Sequence, residues 1–500
     1  MILDAASALR DGIEDRVFDV CVCGTGPAGM ALALRLASKG RSVALMEGGG
    51  IEPSAQSQAI YEGENVGLPY FPLASSRIRA FGGTSRVWAG QCPPMDAADF
   101  RAKPHNPLAA WPIARADLDP YAAEATAFLA CRAYGTLTDP LGFDGEEGLR
   151  RVQVPLSLPP INVGVQYRAA VERDPNLYLC YHASLVDLAL DAGGSQVDRA
   201  QFATLDGQRR FAIRARHYAL CLGGIENARF LLNCNRQIGP GIGNERDQVG
   251  RYFCEHPQFA AGLLLANRAR LPYYGGVPCY VASERLTLEA GTTAFAIYLP
   301  PNDEPDETFP EWAVREVACS TNFTRQLAAA VLGHAPDCLD AAPPKLQPLF
   351  VVAEQALNPE SRVTLGEARD QFGQRQARLD WRLTELDWHT QRVAATRIGK
   401  CYAAADYGRV RIAPWLLEKP VAMPGPDRDS VGGRHHMCTT RMSDNPATGV
   451  VDRSCRVFGV ANLFIGGSSV FGSPGWANPT FTIVQLALRL ADHLAGLGRA

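Results

Sequence analysis

The sequence predicts an α/β protein with two bodies. One is a parallel-sheet dinucleotide-binding domain assembled from separated stretches of chain. The other is an α+β substrate-binding domain with a mixed or antiparallel sheet and helices. Three observations carry this expectation. A strand, a glycine-rich turn, a helix and a second strand follow one another between Val17 and Met46. The segment from Leu463 to Leu494 returns to that style, with a strand, the step Gly466-Gly467 and a helix. Between them, from about Ala260 to Pro426, alternating apolar and polar stretches take over.

Val17 to Cys23 forms the strand, Gly24 to Gly29 the turn, Met30 to Ser38 the helix and Ser42 to Met46 the second strand. Gly24 allows the tight turn, Gly26 lets a pyrophosphate approach the backbone, and Gly29 permits close helix-to-strand packing. Pro27 and Ala28 lie in the same turn, where the helix N-terminus offers free N–H groups and a favourable dipole to phosphates. Glu47 ends the second strand, about 23 residues after Gly24, where a carboxylate accepts hydrogen bonds from ribose hydroxyls and disfavours a 2′-phosphate.

Further along, Pro53 to Arg79 reads as loop, and Phe81 to Ser85 as another glycine turn ahead of Trp88-Ala89-Gly90. The proline-rich, acidic stretch Pro104 to Pro160 reads as an excursion from the nucleotide domain. Asn176 to Asp187 is expected as strand and turn, Phe211 to Leu222 as a strand running into Gly223-Gly224, and Ile225 to Asn233 as a helix. In the altered region, strands are expected at Arg362 to Leu365 and Ala377 to Leu383, and helices at Thr324 to Leu332 and Trp388 to Ala405. Thr480 to Leu494 closes the chain with a helix.

Composition bounds the partners. At 500 residues and 47% hydrophobic, the chain exceeds the size at which single cores stop growing, roughly 250–300 residues, so more than one domain is expected. Its 49 basic and 52 acidic residues give a net charge of -3, which points away from nucleic acid and towards a small-molecule substrate. The N-terminus lacks a basic segment followed by an apolar one, and no run reaches the ~18 apolar residues of a membrane span. A soluble, cytoplasmic protein is expected. The 14 cysteines contain no CxxC pair, so neither a disulfide framework nor a metal site is indicated.

Five ordered blocks carry a resemblance that spans nearly the whole chain. GTGPAG with Glu47, FGGTSRVWAG, ALCLGGIENARFLL, NERDQVGRYFCEHP, and HHMCTTRM followed by FIGGSSVFGSPGWANPTFT together resemble the glucose-methanol-choline (GMC) oxidoreductases. The resemblance implies FAD in a Rossmann-like domain spanning 1–104, 168–258 and 431–500, with 105–167 and 259–430 as the substrate-binding domain. Besides the front motif, it places Gly83, Thr84, Ser85, Trp88, Val186, Gly223, Gly467, Asn478, Pro479 and Thr480 at the cofactor. Within the family the chain is most similar to the sugar-oxidising, pyranose 2-oxidase-like branch. There the pair is a histidine in H-x-x-x-T-x-R-M, here His435, and an asparagine in A-N-P-T, here Asn478. That branch tethers its flavin to a histidine where this chain has Val87, so non-covalent FAD is expected. Gly466, where many members carry aspartate, fits the same branch.

Oxidising a carbinol removes a hydride from carbon, here to flavin N5, and a proton from oxygen. A base neutral near pH 7 suits the second task, and histidine has an ordinary pKa of ~6.5. The expected roles are His435 as general base and Asn478 as the group that orients the hydroxyl. Adjacent His436 is the rival for the base, and Asn478 could instead cap the following helix. Glu354 and Gln355 are candidates for a polyhydroxyl substrate, and Trp476 and His436 for the cavity wall. His256 reads as a residue of the domain crossover. The expected reaction is oxidation of a secondary hydroxyl of a sugar or glycoside to a keto-sugar, with oxygen or a quinone or protein carrier as electron acceptor. A primary or aryl alcohol giving an aldehyde is the alternative. A flavin monooxygenase would need a second nucleotide fingerprint, but Gly239 to Gly243 reads as loop with no helix after it. A non-catalytic flavin module should have lost the His435 and Asn478 pair.

Overall fold

The computed structural model describes residues 1–8, 12–131, 135–136, 148–266, 277–298, 346–406, 408–423 and 433–497. Its main sheet gathers strands from the front, middle and back of the chain. Ile2–Asp4, Leu177–Tyr181, Val43–Met46, Val17–Cys23 and Arg210–Leu220 lie side by side in that order, all parallel. Leu463–Ile465 adds a further parallel strand against Arg210–Leu220. The early part of Arg210–Leu220 also pairs antiparallel with Val197–Thr204, which pairs with Ala183–Leu190. Strands buried on both faces become continuous apolar runs, as Val43–Met46 shows with all four residues buried. The helices Pro27–Ser38 and Thr480–Gly496 pack together beside this sheet.

A second, antiparallel sheet has the order Gly408–Ile412, Gln258–Ala266, Leu346–Ala353, Phe295–Tyr298, Val277–Ala282, Leu149–Val154 and Gly135–Thr136. The helix Glu385–Ala404 lies against it. Its N-terminus is fixed by a capping box of Thr384 and Asp387, the carboxylate accepting from the Thr384 N–H at 2.6 Å. Phe259, Trp388 and Trp415 then interlock at centroid distances of 5.4 to 6.3 Å and hold the helix on the sheet.

The expected elements recur with modest shifts. The first helix starts at Pro27, using its fixed φ at the first turn, and the long helix starts at Glu385 because the capping box sits there. Asn176 to Asp187 is two strands, Leu177–Tyr181 and Ala183–Leu190, with His182 at a positive φ of 57° between them. The loop Pro53 to Arg79 holds a short helix, Ala55–Ala59, and a strand, Gly63–Asn65. The helix expected at Thr324 to Leu332 lies outside the described residues.

The strands expected at Arg362 to Leu365 and Ala377 to Leu383 are present as a hairpin, but they join neither of the two large sheets. Arg362–Arg369 and Arg375–Asp380 pair with each other and with Gly63–Asn65, forming a three-stranded sheet apart from the antiparallel one. Arg229, in the helix Glu226–Asn233, anchors this hairpin by donating to Asp370 at 2.6 Å and to the Arg375 carbonyl at 2.9 Å. Both charged side chains are almost wholly buried. Removing one partner of a buried pair strands the other charge, at a cost of roughly 3–5 kcal/mol. Asp370→Ala should therefore lower the denaturant midpoint substantially. A shift worth less than about 1 kcal/mol would show that Glu226, the other carboxylate on Arg229, suffices alone.

Candidate active site

The parallel strands end together. Register sets Cys23 beside both Met46 and Leu220, and Leu220 beside Ile465. Each strand then passes into a polar or glycine-rich turn, so Gly24, Glu47, Gly223 and Gly467 border one crevice at the carboxyl edge of the sheet, where open α/β sheets bind ligands. The cavity there measures about 1230 Å³. Pro27, Ala28, Gly83, Thr84, Ser85, Trp88, Asn478, Pro479 and Thr480 line it as well.

The glycines divide their work. A Cβ at Gly24 would stand 2.4 Å from the Cys221 carbonyl oxygen, and one at Gly29 only 1.9 Å from that of Gly24. These two permit close packing. A Cβ at Gly26 would meet no atom within 4 Å and would project into free space at the start of the helix Pro27–Ser38. Glu47 is buried, accepting from the Thr25 hydroxyl and, at 2.7 Å, from the Gly49 N–H. The Gly82 N–H donates to Thr25 at 3.1 Å, which docks the second glycine turn on the first. A helix N-terminus over open space beside a strand-end carboxylate suits a pyrophosphate and a ribose, so these residues fit FAD. Gly29 packs behind this wall. Val186 lies just beyond the lining run Ala183 to Leu185, its carbonyl accepting from Gln374 at 2.6 Å.

His435, His436 and Asn478 all reach the cavity. His436 Nε2 lies 3.0 Å from the Tyr70 hydroxyl, and that hydroxyl donates to Glu255. His435 Nδ1 lies 3.0 Å from His256 Nδ1. Among the described residues, neither His435 Nε2 nor the Asn478 side-chain amide has a hydrogen-bond partner. The helix Thr480–Gly496 takes no side-chain cap. Burial, then the neighbouring His256 and His436, hold the His435 pKa well below the ordinary histidine value. Burial takes His436 down to about 3 and His256 to about 4. It pushes Glu255 up to about 7, against the Tyr70 hydroxyl and the backbone donors that favour its charged form.

Three candidates are drawn into interior networks and are not among the lining residues. Glu354 forms a buried ion pair with Lys103 at 2.7 Å. Gln355 accepts from the Glu255 N–H and from Trp381 Nε1, each at 2.9 Å. Trp476, 1% exposed, donates from its indole to Asp96 at 3.3 Å. The opposite wall comes from the antiparallel sheet instead, through Arg151, Gln258, Tyr280, Tyr298, Phe350 and Val352. Sequence reading named none of these. The alternation of Phe350 and Val352 signals a shared face but not what that face borders.

Comparison with known proteins agrees with this picture. Residues 358–487 match the GMC oxidoreductase family model for its C-terminal part. The 6'''-hydroxyparomomycin C oxidase of Streptomyces lividus is 25% identical, over 98% of this chain and 94% of that protein. Among solved structures, pyridoxine 4-oxidase from Mesorbium loti is similar with a TM-score of 0.59 at 17% identity, over 95% of this chain and 99% of that one. A fungal aryl-alcohol oxidase gives a TM-score of 0.61 at 13% identity, over 96% and 99%. Fold, crevice and matches define an FAD-dependent oxidoreductase acting on CH–OH groups. They support the GMC oxidoreductase family for the chain. No described helix is long and apolar enough to cross a membrane.

Gly26→Val places a branched side chain in the space that a pyrophosphate would enter. The purified variant should be nearly colourless, with a flavin-to-protein absorbance ratio far below wild type. Full flavin content would show that the phosphates bind elsewhere.

Proposed function

We propose that this chain oxidises a secondary hydroxyl of a sugar or glycoside to a keto-sugar, with His435 as general base and Asn478 orienting the hydroxyl. One observation carries the reading: His435 Nε2 and the Asn478 amide, both without hydrogen-bond partners among the described residues, line the cavity that contains the dinucleotide cradle. Elsewhere in the interior, candidate polar groups such as Glu354 and Gln355 are already engaged. A hydroxyl group complements the free pair, giving a proton to an imidazole and accepting from an amide N–H. A positioned base contributes ~10²–10⁴ in rate.

FAD, held by Gly24 to Ala28, Glu47, Gly83 to Ser85, Gly467 and Asn478 to Thr480, supplies the two-electron acceptor for the carbinol carbon. Val87 offers only hydrocarbon before Trp88, which supports non-covalent attachment. Gln258, Tyr280 and Tyr298 give the far wall the hydrogen-bonding and stacking character that suits a sugar, and the similarity to an oxidase of a hydroxylated paromomycin supports that class. Phe71, Trp88 and Phe350, which also line the cavity, favour the second reading, an aryl or primary alcohol.

Anaerobic stopped-flow reduction against sugars, glycosides and simple or aryl alcohols tests the substrate class. Bleaching by a sugar or glycoside supports the first reading, and bleaching by non-sugar alcohols alone overturns it. Mixing the reduced protein with oxygen then separates an oxidase from a dehydrogenase that uses a quinone or protein carrier. His435→Ala should keep its FAD yet be reduced at least ~10²-fold more slowly. Near-normal reduction would move the role to His436. Because the His435 pKa is lowered, the base stays neutral below pH ~6.5, and the reduction rate should fall only as pH drops through that lower value. An acid limb centred at or above 6.5 would contradict the assignment.

A further inference from the structure

We propose that His256 is a positioning residue that fixes the tautomer of His435, placing the proton of His435 on Nδ1 and leaving Nε2 bare for the substrate hydroxyl. This rests on His435 being the base, as proposed above. His256 Nε2 lies 3.4 Å from the Pro474 oxygen, which can only accept, so Nε2 carries the hydrogen. His256 is 1% exposed, and burial keeps it neutral with a pKa of about 4, so this is its only ring proton. Its Nδ1 is therefore a lone pair.

That lone pair faces His435 Nδ1 at 3.0 Å, with the rings edge to face and their centroids 5.0 Å apart. Two lone pairs cannot share that distance, so His435 donates from Nδ1. Neutral His435 then has no proton left for Nε2, the atom without a hydrogen-bond partner among the described residues. The backbone holds both rings in place, because the N–H groups of His256 and His435 donate to the same Glu255 carboxylate at 2.7 to 2.9 Å. The other charged or titratable groups around the pair are His436, Tyr70, Arg434 and Glu354. No proton is relayed onward through His256, since the chain of hydrogen bonds ends on the Pro474 carbonyl. Orienting partners of this kind commonly change activity ten- to a hundredfold when removed, by roughly the strength of one buried hydrogen bond.

The test uses the holoenzyme labelled with ¹⁵N-histidine, the His435 signals being assigned by their loss in His435→Ala. At neutral pH the wild type should show a pyridine-type nitrogen at Nε2 and a pyrrole-type nitrogen at Nδ1. The reverse pattern overturns the proposal, and this readout needs no variant of His256 to fold and no substrate to be known. His256→Leu, which offers no acceptor, should give a mixture of His435 tautomers and slow flavin reduction about ten- to a hundredfold. His256→Asn, whose carbonyl oxygen can replace the lost lone pair, should restore the wild-type pattern and most of the rate. An unchanged His435 spectrum in His256→Leu also overturns the proposal. If His435→Ala is reduced normally while the wild-type spectrum is as expected, the base assignment fails and the tautomer-fixing contact stands.

Discussion

The carboxylate of Glu255 joins three segments far apart in sequence. It accepts from the backbone N–H groups of His256 and His435 and from the hydroxyl of Tyr70, while its own N–H donates to Gln355. A carboxylate removed from water is costly, and several directed donors offset part of that cost, burial still pushing the Glu255 pKa up to about 7. Both histidine-bearing stretches therefore have fixed positions relative to each other before any substrate arrives. The turn around His435 also needs this restraint, because Arg434 and Cys438 on either side of it hold positive φ values of 58° and 69°.

Some of this was legible because its cause is local. Gly24 and Gly29 announce their packing roles through their place between a strand and a helix, since a tight turn and a close helix-to-strand approach each leave no room for a Cβ. Between His435 and His436 only the resemblance of the H-x-x-x-T-x-R-M motif favours His435. Two adjacent imidazoles look alike in sequence, and the turn that aims them is set by Glu255, 180 residues before His435, and by Tyr70, 366 before His436. Glu354 and Gln355 resembled free polar groups, yet Lys103 and Trp381 occupy them, and those partners are visible only after folding.

The far wall shows the same limit from another side. Alternation in Val277–Ala282 or Leu346–Ala353 tells which residues share a face. It does not tell that Tyr280 and Phe350 border the cavity that holds the dinucleotide cradle. Nor does pattern assign Arg375–Asp380 to the small sheet with Gly63–Asn65, because strand order depends on partners that arrive much later or much earlier in the chain.

The make-up of the main sheet bears on how the protein comes into being. Arg210–Leu220 finds its last parallel neighbour only in Leu463–Ile465, near the other end of the chain. During synthesis the ribosome would release most of the polypeptide while this edge is still unpaired and the crevice lacks Gly467 and Asn478. Such long-range pairing slows assembly and leaves strand edges prone to aggregation in the meantime. A ligand that binds only the finished crevice pulls the equilibrium towards it by mass action. The yield of intact protein in a producing cell should then track its riboflavin supply, a dependence written into the order of the strands.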